Sequence, residues 1–355
     1  MLYHGLVEKS DLLDFSQNFN VTRNYMGSRF FPDRKTQNME AEYYRLCKNG
    51  NLPLVAQVHA FDTEARIGSR LPLSKVEHEK LLIKEKINQT EELRKVTHGM
   101  TMDADAVLKY IFDDVARTAE KIVTRVEVAK MEALSAGKMT IQENGLSLVV
   151  DYDIPEENRV STMWDEEADI LGDLHEWRQI ALDNGVKPDT GITTERVVMK
   201  MMRNKQIQQA IFGTVGTGIL PTLDQINNLL RAQVGITVQT NEERYGDLTL
   251  DEAGVPYVQQ MRFWPEDTFV MCATGQSGTI GAGLWGVTPE EELQGGAFDS
   301  KRQQQFVTIT QWSTPDPTAV WTKASGIFIP VLPNPYGHII ANVNAEPAAE
   351  EEAQG

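Results

Sequence analysis

The sequence predicts an α+β chain organised around one unusually long helix, and three observations carry that prediction. A single apolar stripe runs from about Asp103 to Ala136, thirty-four residues where globular helices average about 11–12. A densely charged stretch precedes it. A hairpin signal at Asn144-Gly145 follows it and opens a succession of mixed strands and helices.

Composition bounds the function. Over 355 residues the hydrophobic fraction is 41% and the charged fraction 24%, enough for two or three domains or one elongated subunit. The net charge of −17 argues against general affinity for nucleic acid or for an anionic membrane, because basic side chains drive both. Charge is also unevenly spread. Asp62–Lys95 holds eight basic and seven acidic residues, so this near-neutral segment sits on a body of −18 and could seek an acidic surface on another copy. No apolar run reaches the ~18 residues of a membrane span, and the N-terminus carries no signal-peptide pattern. Cys47 and Cys272 stand alone, which suits a reducing cytoplasm and excludes a disulfide framework.

The elements follow in order. A short helix is expected from Ser10, which caps SDLLDF. Phe19, Tyr25, Phe30 and Phe31 then stand in a weakly periodic stretch that reads as packing onto something else, a neighbouring subunit being one candidate. A second short helix is expected after Thr36, burying Met39, Tyr43 and Leu46 or Cys47 and ending near Gly50. Leu54–Phe61 reads as a strand, and GSRLPLSKVEHEKLLIKEKINQ as a long solvent-rich β-hairpin, with a solvated helix over Lys75–Lys86 as the alternative. In the long helix Leu108, Ile111, Val115, Ile122, Val126, Ala129 and Ala133 fall at three- and four-residue spacing. Asp103 or Asp105 caps it and Gly137 stops it. At ~1.5 Å per residue it spans about 50 Å. Thr118 and Ala119 interrupt the stripe, which disfavours a coiled coil and favours a rod lying on a sheet.

After the Asn144-Gly145 hairpin, helices are expected at Asp165–Leu182, Thr193–Phe212 and Thr222–Gln233. The third carries a capping box of Thr222 and Gln225 and ends at Gly235. Strands are expected at ITVQT, DTFVMCAT, QQFVTITQW, GIFIPVLP and HIIANV. The last three read as short strands that Pro315, Pro317, Pro330, Pro333 and Pro335 confine to edges or ends. The tail from Asn344 is acidic, Ala-rich and expected to be disordered.

Several fragments approach catalytic motifs, and each fails at a named residue. TFVMCATGQSGTIGAG imitates a strand feeding a phosphate loop, yet LWGVTPEEE follows where the helix should open. Gly275-Gln276-Ser277-Gly278 is one residue short of a nucleophile elbow, with Thr279 in place of the second glycine. His175-Glu176 begins a zincin helix, but Gln179 replaces the second histidine. Asp169, Asp173 and Glu176 share a helix face that reads as solvated, and His78 lies opposite Glu77 and Glu79. No catalytic, cofactor-binding or metal-ligating residue is expected.

Three segments carry a resemblance: ARIGSRLPLSKVEHEKLLIKEKINQ at 65–89, DVARTAEKIVTRVEVAKMEALSAGKMTI at 114–141 and TPDPTAVWTKASGIFIPVLPNPYGHIIANV at 314–343. In their wording and order the chain resembles the major capsid proteins of tailed phages, in the lambda major head protein (capsid E) family, over roughly 50–343. The resemblance implies the Hong Kong phage-type capsid fold. Its parts map to an N-terminal arm at 1–56, an extended β-hairpin loop at 57–98 and a peripheral domain with a spine helix at 99–160. An axial domain at 161–275, a peripheral return at 276–344 and an acidic tail at 345–355 complete the chain. It also implies a homo-oligomer of hexamers and pentamers, closed as an icosahedral shell around double-stranded DNA that is enclosed without specific binding and without a membrane. Separate scaffolding, portal and decoration proteins, and residence in a virion assembled in the host cytoplasm, belong to the same expectation. Two rivals remain: an encapsulin-type shell of the same fold, and an α/β enzyme holding a phosphorylated ligand at 270–283.

Overall fold

The computed structural model describes residues 23–38, 40–52, 73–89, 104–143, 145–214, 218–251, 254–275, 277–293, 298, 300–304, 306–316 and 318–345. In chain order the elements are α1 (Met26–Phe30), β1 (Asp33–Lys35), β2 (Glu40–Leu46), β3 (Leu73–Glu79), β4 (Leu81–Gln89) and α2 (Ala104–Ala136). Then come β5 (Lys138–Glu143), β6 (Leu146–Asp151), β7 (Arg159–Ser161), α3 (Ile170–Asp183), β8 (Thr190–Thr193), α4 (Glu195–Arg203), α5 (Lys205–Phe212) and α6 (Leu223–Gln233). The remainder is β9 (Thr237–Thr240), β10 (Arg244–Leu250), β11 (Pro256–Arg262), β12 (Thr268–Cys272), β13 (Ala282–Trp285), α7 (Pro289–Glu292), β14 (Ser300–Gln304), β15 (Val307–Pro315), β16 (Thr318–Val331) and β17 (Ile339–Asn342).

These residues fall into two compact units. One draws on Met1–Ala41, Glu77–Lys130 and Ala282–Val331, the other on Glu42–Val76, Met131–Gly281 and Leu332–Gly355.

The first unit is built on β16. Its Val320–Phe328 pairs antiparallel with β4 along one edge. The opposite edge takes β15 at Thr318–Ser325 and then β13 at Phe328–Val331. β14 extends the sheet beyond β15 and β1 runs parallel beyond β13. Of the three short C-terminal strands expected, the first forms over nine residues and ends at Pro315, while the second is corrected to the fourteen residues of β16, with Pro330 inside it. Pro330 is tolerated inside β16 because β4 ends its register at Phe328, so that edge needs no further N–H donor.

Helix α2 matches its expected span to within a residue. Val115, Ile122, Val126, Ala129 and Ala133 are buried as the stripe requires, while the side chains of Leu108 and Ile111 lie outside the described residues. Thr118 and Ala119 do not break the buried face: both are buried in it, so the apolar band is broader than the stripe. A Cβ on Gly326 would stand 3.2 Å from Ile122 Cγ2 and 2.9 Å from Trp285 Cζ3, which is how closely β16 and α2 approach. The helix stops at Gly137, whose φ of +63° suits glycine and whose added Cβ would run into Ile154 Cδ1.

The second unit holds a five-stranded sheet in the order β7-β17-β12-β8-β9. Trp164 stacks on Trp177 with centroids 5.5 Å apart, and both meet Phe269 of β12. Around them α3, α4, α5 and α6 bury Leu174, Val197, Met201, Ile207, Ile226 and Leu230. The β5–β6 hairpin forms as expected, with Gly145 at φ +79°, and the Thr222–Gln225 capping box is present.

Other expectations are corrected. The stretch after Thr36 is not helical: Ala41 is buried between the exposed Glu40 and Glu42, a period of two that makes it strand β2. Tyr25, Phe30 and Phe31 are buried within their own chain. β3 and β4 follow one another across Lys80 but do not pair; β2 takes β3 and β16 takes β4. Helix α3 begins at Ile170 rather than Asp165, because Asp169 accepts the Gly172 N–H as its cap. The single helix expected over Thr193–Phe212 is two. Thr193 belongs to β8, and Asn204 breaks the run by capping α5. The helix at Ser10, Phe19, Met39, the strand at Leu54–Phe61, the start of the hairpin at 68–72, the rest of the extended loop at 57–67 and 90–98, and the tail at 346–355 lie outside the described residues.

Candidate assembly surface

The arm is clamped onto the spine helix by buried charge. Glu127 and Lys130 are each 1% exposed. The Gly27 N–H donates to Glu127 Oε1 at 2.6 Å, and Lys130 Nζ donates to Asp33 Oδ1 at 2.8 Å while lying 5.5 Å from the Phe328 ring centroid. Tyr25 adds a hydroxyl bond to Thr124 Oγ1 at 3.0 Å. A cleft of about 630 Å³ opens here, lined by Tyr25, Ser28, Arg29, Lys130, Trp285 and Phe306 among others; its one lysine–serine contact, Lys130 Nζ to Ser28 Oγ at 3.5 Å, is longer than the bond that ties the same ammonium to Asp33. Sequence reading missed both charged residues; the only signal was spacing, since Lys130 stands four residues after Val126 and three before Ala133, and Glu127 three before Lys130.

The charged segment before the helix is partly satisfied within its own chain. Lys75 pairs with Glu42 at 3.2 Å, Lys121 with Glu85, and Lys86 lies 4.8 Å from the Trp321 ring centroid. Lys80 turns inward to Thr36 and to the carbonyl of Asn38, and burial lowers its pKa. Glu290 is also buried. Burial raises its pKa, but hydrogen bonds from Lys323, the backbone and Ser325, together with the charge of Lys323, outweigh that and leave its carboxyl below the usual range. Glu77 and Glu79 face solvent on β3 while His78 takes the other face, half-buried.

The near-motifs have structural occupations. In the phosphate-like loop after β12, the Thr274 N–H, Thr274 hydroxyl and Gly275 N–H all donate to the Asp189 carboxylate at 2.9–3.0 Å, so these three donors are taken. Of the acidic face on α3, Asp169 is the helix cap and also accepts from Gln206. Asp173 accepts from Trp164 Nε1 at 2.8 Å and from Thr162. Among the described residues no group of three or more His, Cys, Asp or Glu side chains could hold a metal ion. Burial raises the Cys272 thiol far above the reactive range.

A second surface went unread in the sequence. β10 and β11 form a two-stranded ribbon, Arg244↔Arg262 to Leu250↔Pro256, exposed along nearly its whole length. The signal was present: alternating YGDLTL and VPYVQQM flank a DEAG turn.

Comparison with known proteins agrees with this arrangement. The family model for phage major capsid protein E matches residues 10–343. No curated protein matches the chain. Among solved structures, one described as the capsid protein of an E. coli CFT073 prophage is 15% identical, with a TM-score of 0.58 over 95% of this chain and 99% of that one. A phage-related protein from Bordetella bronchiseptica RB50 is 8% identical, with a TM-score of 0.53 over 94% and 96%. Spine helix, sheet and mixed second unit are those of the Hong Kong phage-type capsid fold. The chain belongs to the phage major capsid protein E family, and it is a structural shell subunit, not an enzyme.

Proposed function

We propose that copies of this chain form hexamers and pentamers that close an icosahedral shell around packaged double-stranded DNA. The family match across residues 10–343 carries the reading. Residues 1–56 act as the arm and 57–98 as an extended loop reaching a neighbour. Segments 99–160 and 276–344 form the peripheral domain, 161–275 the axial domain, and 345–355 the tail. The net charge of −17 supports a wall that encloses DNA without gripping it. Scaffolding, portal and decoration functions fall to separate proteins, and assembly takes place in the host cytoplasm before the subunit resides in the virion.

Negative-stain microscopy of the chain expressed alone or with its neighbouring genes is expected to show closed shells or capsomers. A uniform small dimer would overturn the proposal, and shells filled with protein cargo in place of DNA would transfer it to an encapsulin. The extended loop needs a narrower test than removal of Ile67–Asn88, which would strip β4 from β16. Deleting 57–70 leaves β3 and β4 in place and is expected to yield folded subunits that do not close shells. Normal shells from that variant would refute the loop assignment.

A further inference from the structure

The β10–β11 ribbon presents apolar surface that the chain itself does not cover. Its register sets Leu248 opposite Val258 and Leu250 opposite Pro256, so these four share one face. Leu248, Leu250 and Val258 are 68%, 65% and 67% exposed, while Tyr257, paired with Thr249, stands on the opposite face at 47%. Among the described residues neither strand pairs with a third. A two-stranded ribbon with both faces in water is marginally stable, and a contiguous exposed apolar patch marks an interaction site.

The charge pattern identifies the occupant. Across Leu248–Leu250 and Val255–Gln260 there is no charged side chain, in a chain of net charge −17. Copies that repel one another approach best through neutral surface, and interface cores are depleted in charge. An anionic membrane would repel the same acidic body. We propose that the face formed by Leu248, Leu250, Pro256 and Val258 is covered by a second copy of this chain in the assembled shell. This rests on the shell reading above. The contact is heterologous, since closing a ring of five or six requires the ribbon to meet a different surface of its neighbour.

The test compares the full chain with the Leu248→Asp/Val258→Asp variant. Circular dichroism and the urea midpoint check folding, and sedimentation with microscopy follows assembly. The variant is expected to stay folded and to need at least about tenfold more protein for half-assembly. Assembly of both at the same concentration overturns the inference. Failure of the wild type itself to assemble removes the shell reading instead, and the inference with it. Hydrogen exchange on wild-type protein decides the matter if the variant misfolds. Amides of Arg244–Leu250 and Pro256–Arg262 are expected to be protected in shells relative to dissociated subunits, and unchanged exchange refutes the contact. Protection that appears only after a second virion protein is added, or flotation of wild-type subunits with phosphatidylcholine vesicles that the variant loses, also refutes it.

Discussion

At the scale of single residues, the spine helix takes charge into its buried side and satisfies it there. Glu127 holds the Gly27 N–H and Lys130 holds Asp33, so two residues of α2 fix the path of the arm. An unpaired buried charge would cost several kcal/mol. His338 follows the opposite logic. It is buried, its Nε2–H donates to the Leu134 carbonyl at 2.6 Å, and its Nδ1 has no hydrogen-bond partner among the described residues. Burial, with the Arg159 charge adding to it, lowers its pKa from 6.5 to about 4 despite the bond to Leu134. The unfolded chain therefore binds the extra proton between those values. Stability is fully present above pH 6.5 and falls as pH drops towards 4, by up to about 3 kcal/mol. Urea unfolding of dissociated subunits at pH 7 and pH ~4.5 measures this. His338→Gln is expected to lose this part of the pH dependence, and an unchanged slope would assign the effect to other groups.

At the scale of elements, breaks in the chain are set by polar side chains that reach sideways. Asn204 is fully buried. Its Oδ1 accepts the Ile207 N–H at 3.1 Å, and its Nδ2 donates to the carbonyls of Asp165 and Ala168 at 3.2 and 2.8 Å. One side chain thereby ends α4, starts α5 and ties both to the loop before α3. Asn204→Ala removes a helix cap and leaves two carbonyls unpaired, so a loss of about 2–4 kcal/mol is expected in the urea midpoint. A loss below ~1 kcal/mol would mean that solvent or a shifted neighbour replaces those bonds.

At the scale of the whole molecule, assembly joins subunits of net charge −17. Their mutual repulsion extends over roughly 10 Å at 0.1 M salt and shrinks as salt rises. If neutral, apolar surface carries the contacts, raising NaCl from about 0.05 to 0.5 M is expected to lower the concentration needed for assembly, because screening removes repulsion and leaves burial intact. Light scattering against protein concentration reads this directly. Assembly weakened by salt would instead make ion pairs from the 62–95 segment the dominant contacts.

The sequence by itself determined the features whose cause is local. The span of α2, the Asn144-Gly145 hairpin and the Thr222–Gln225 box follow from periodicity, turn chemistry and capping within a few residues of each site. Tertiary structure alone decided pairings between distant segments. The stretch holding β3 and β4 reads as one hairpin, but only Lys80 separates the two strands, too little for a turn, and β16 offers β4 nine consecutive partners from Val320 to Phe328. Asn204 reads as an ordinary helix residue until the carbonyls of Asp165 and Ala168 arrive beside it. Glu127 and Lys130 read as solvated until the arm folds over them. A side chain's partner, and not its own chemistry, settles whether its charge is exposed or buried, and those partners lie about a hundred residues away.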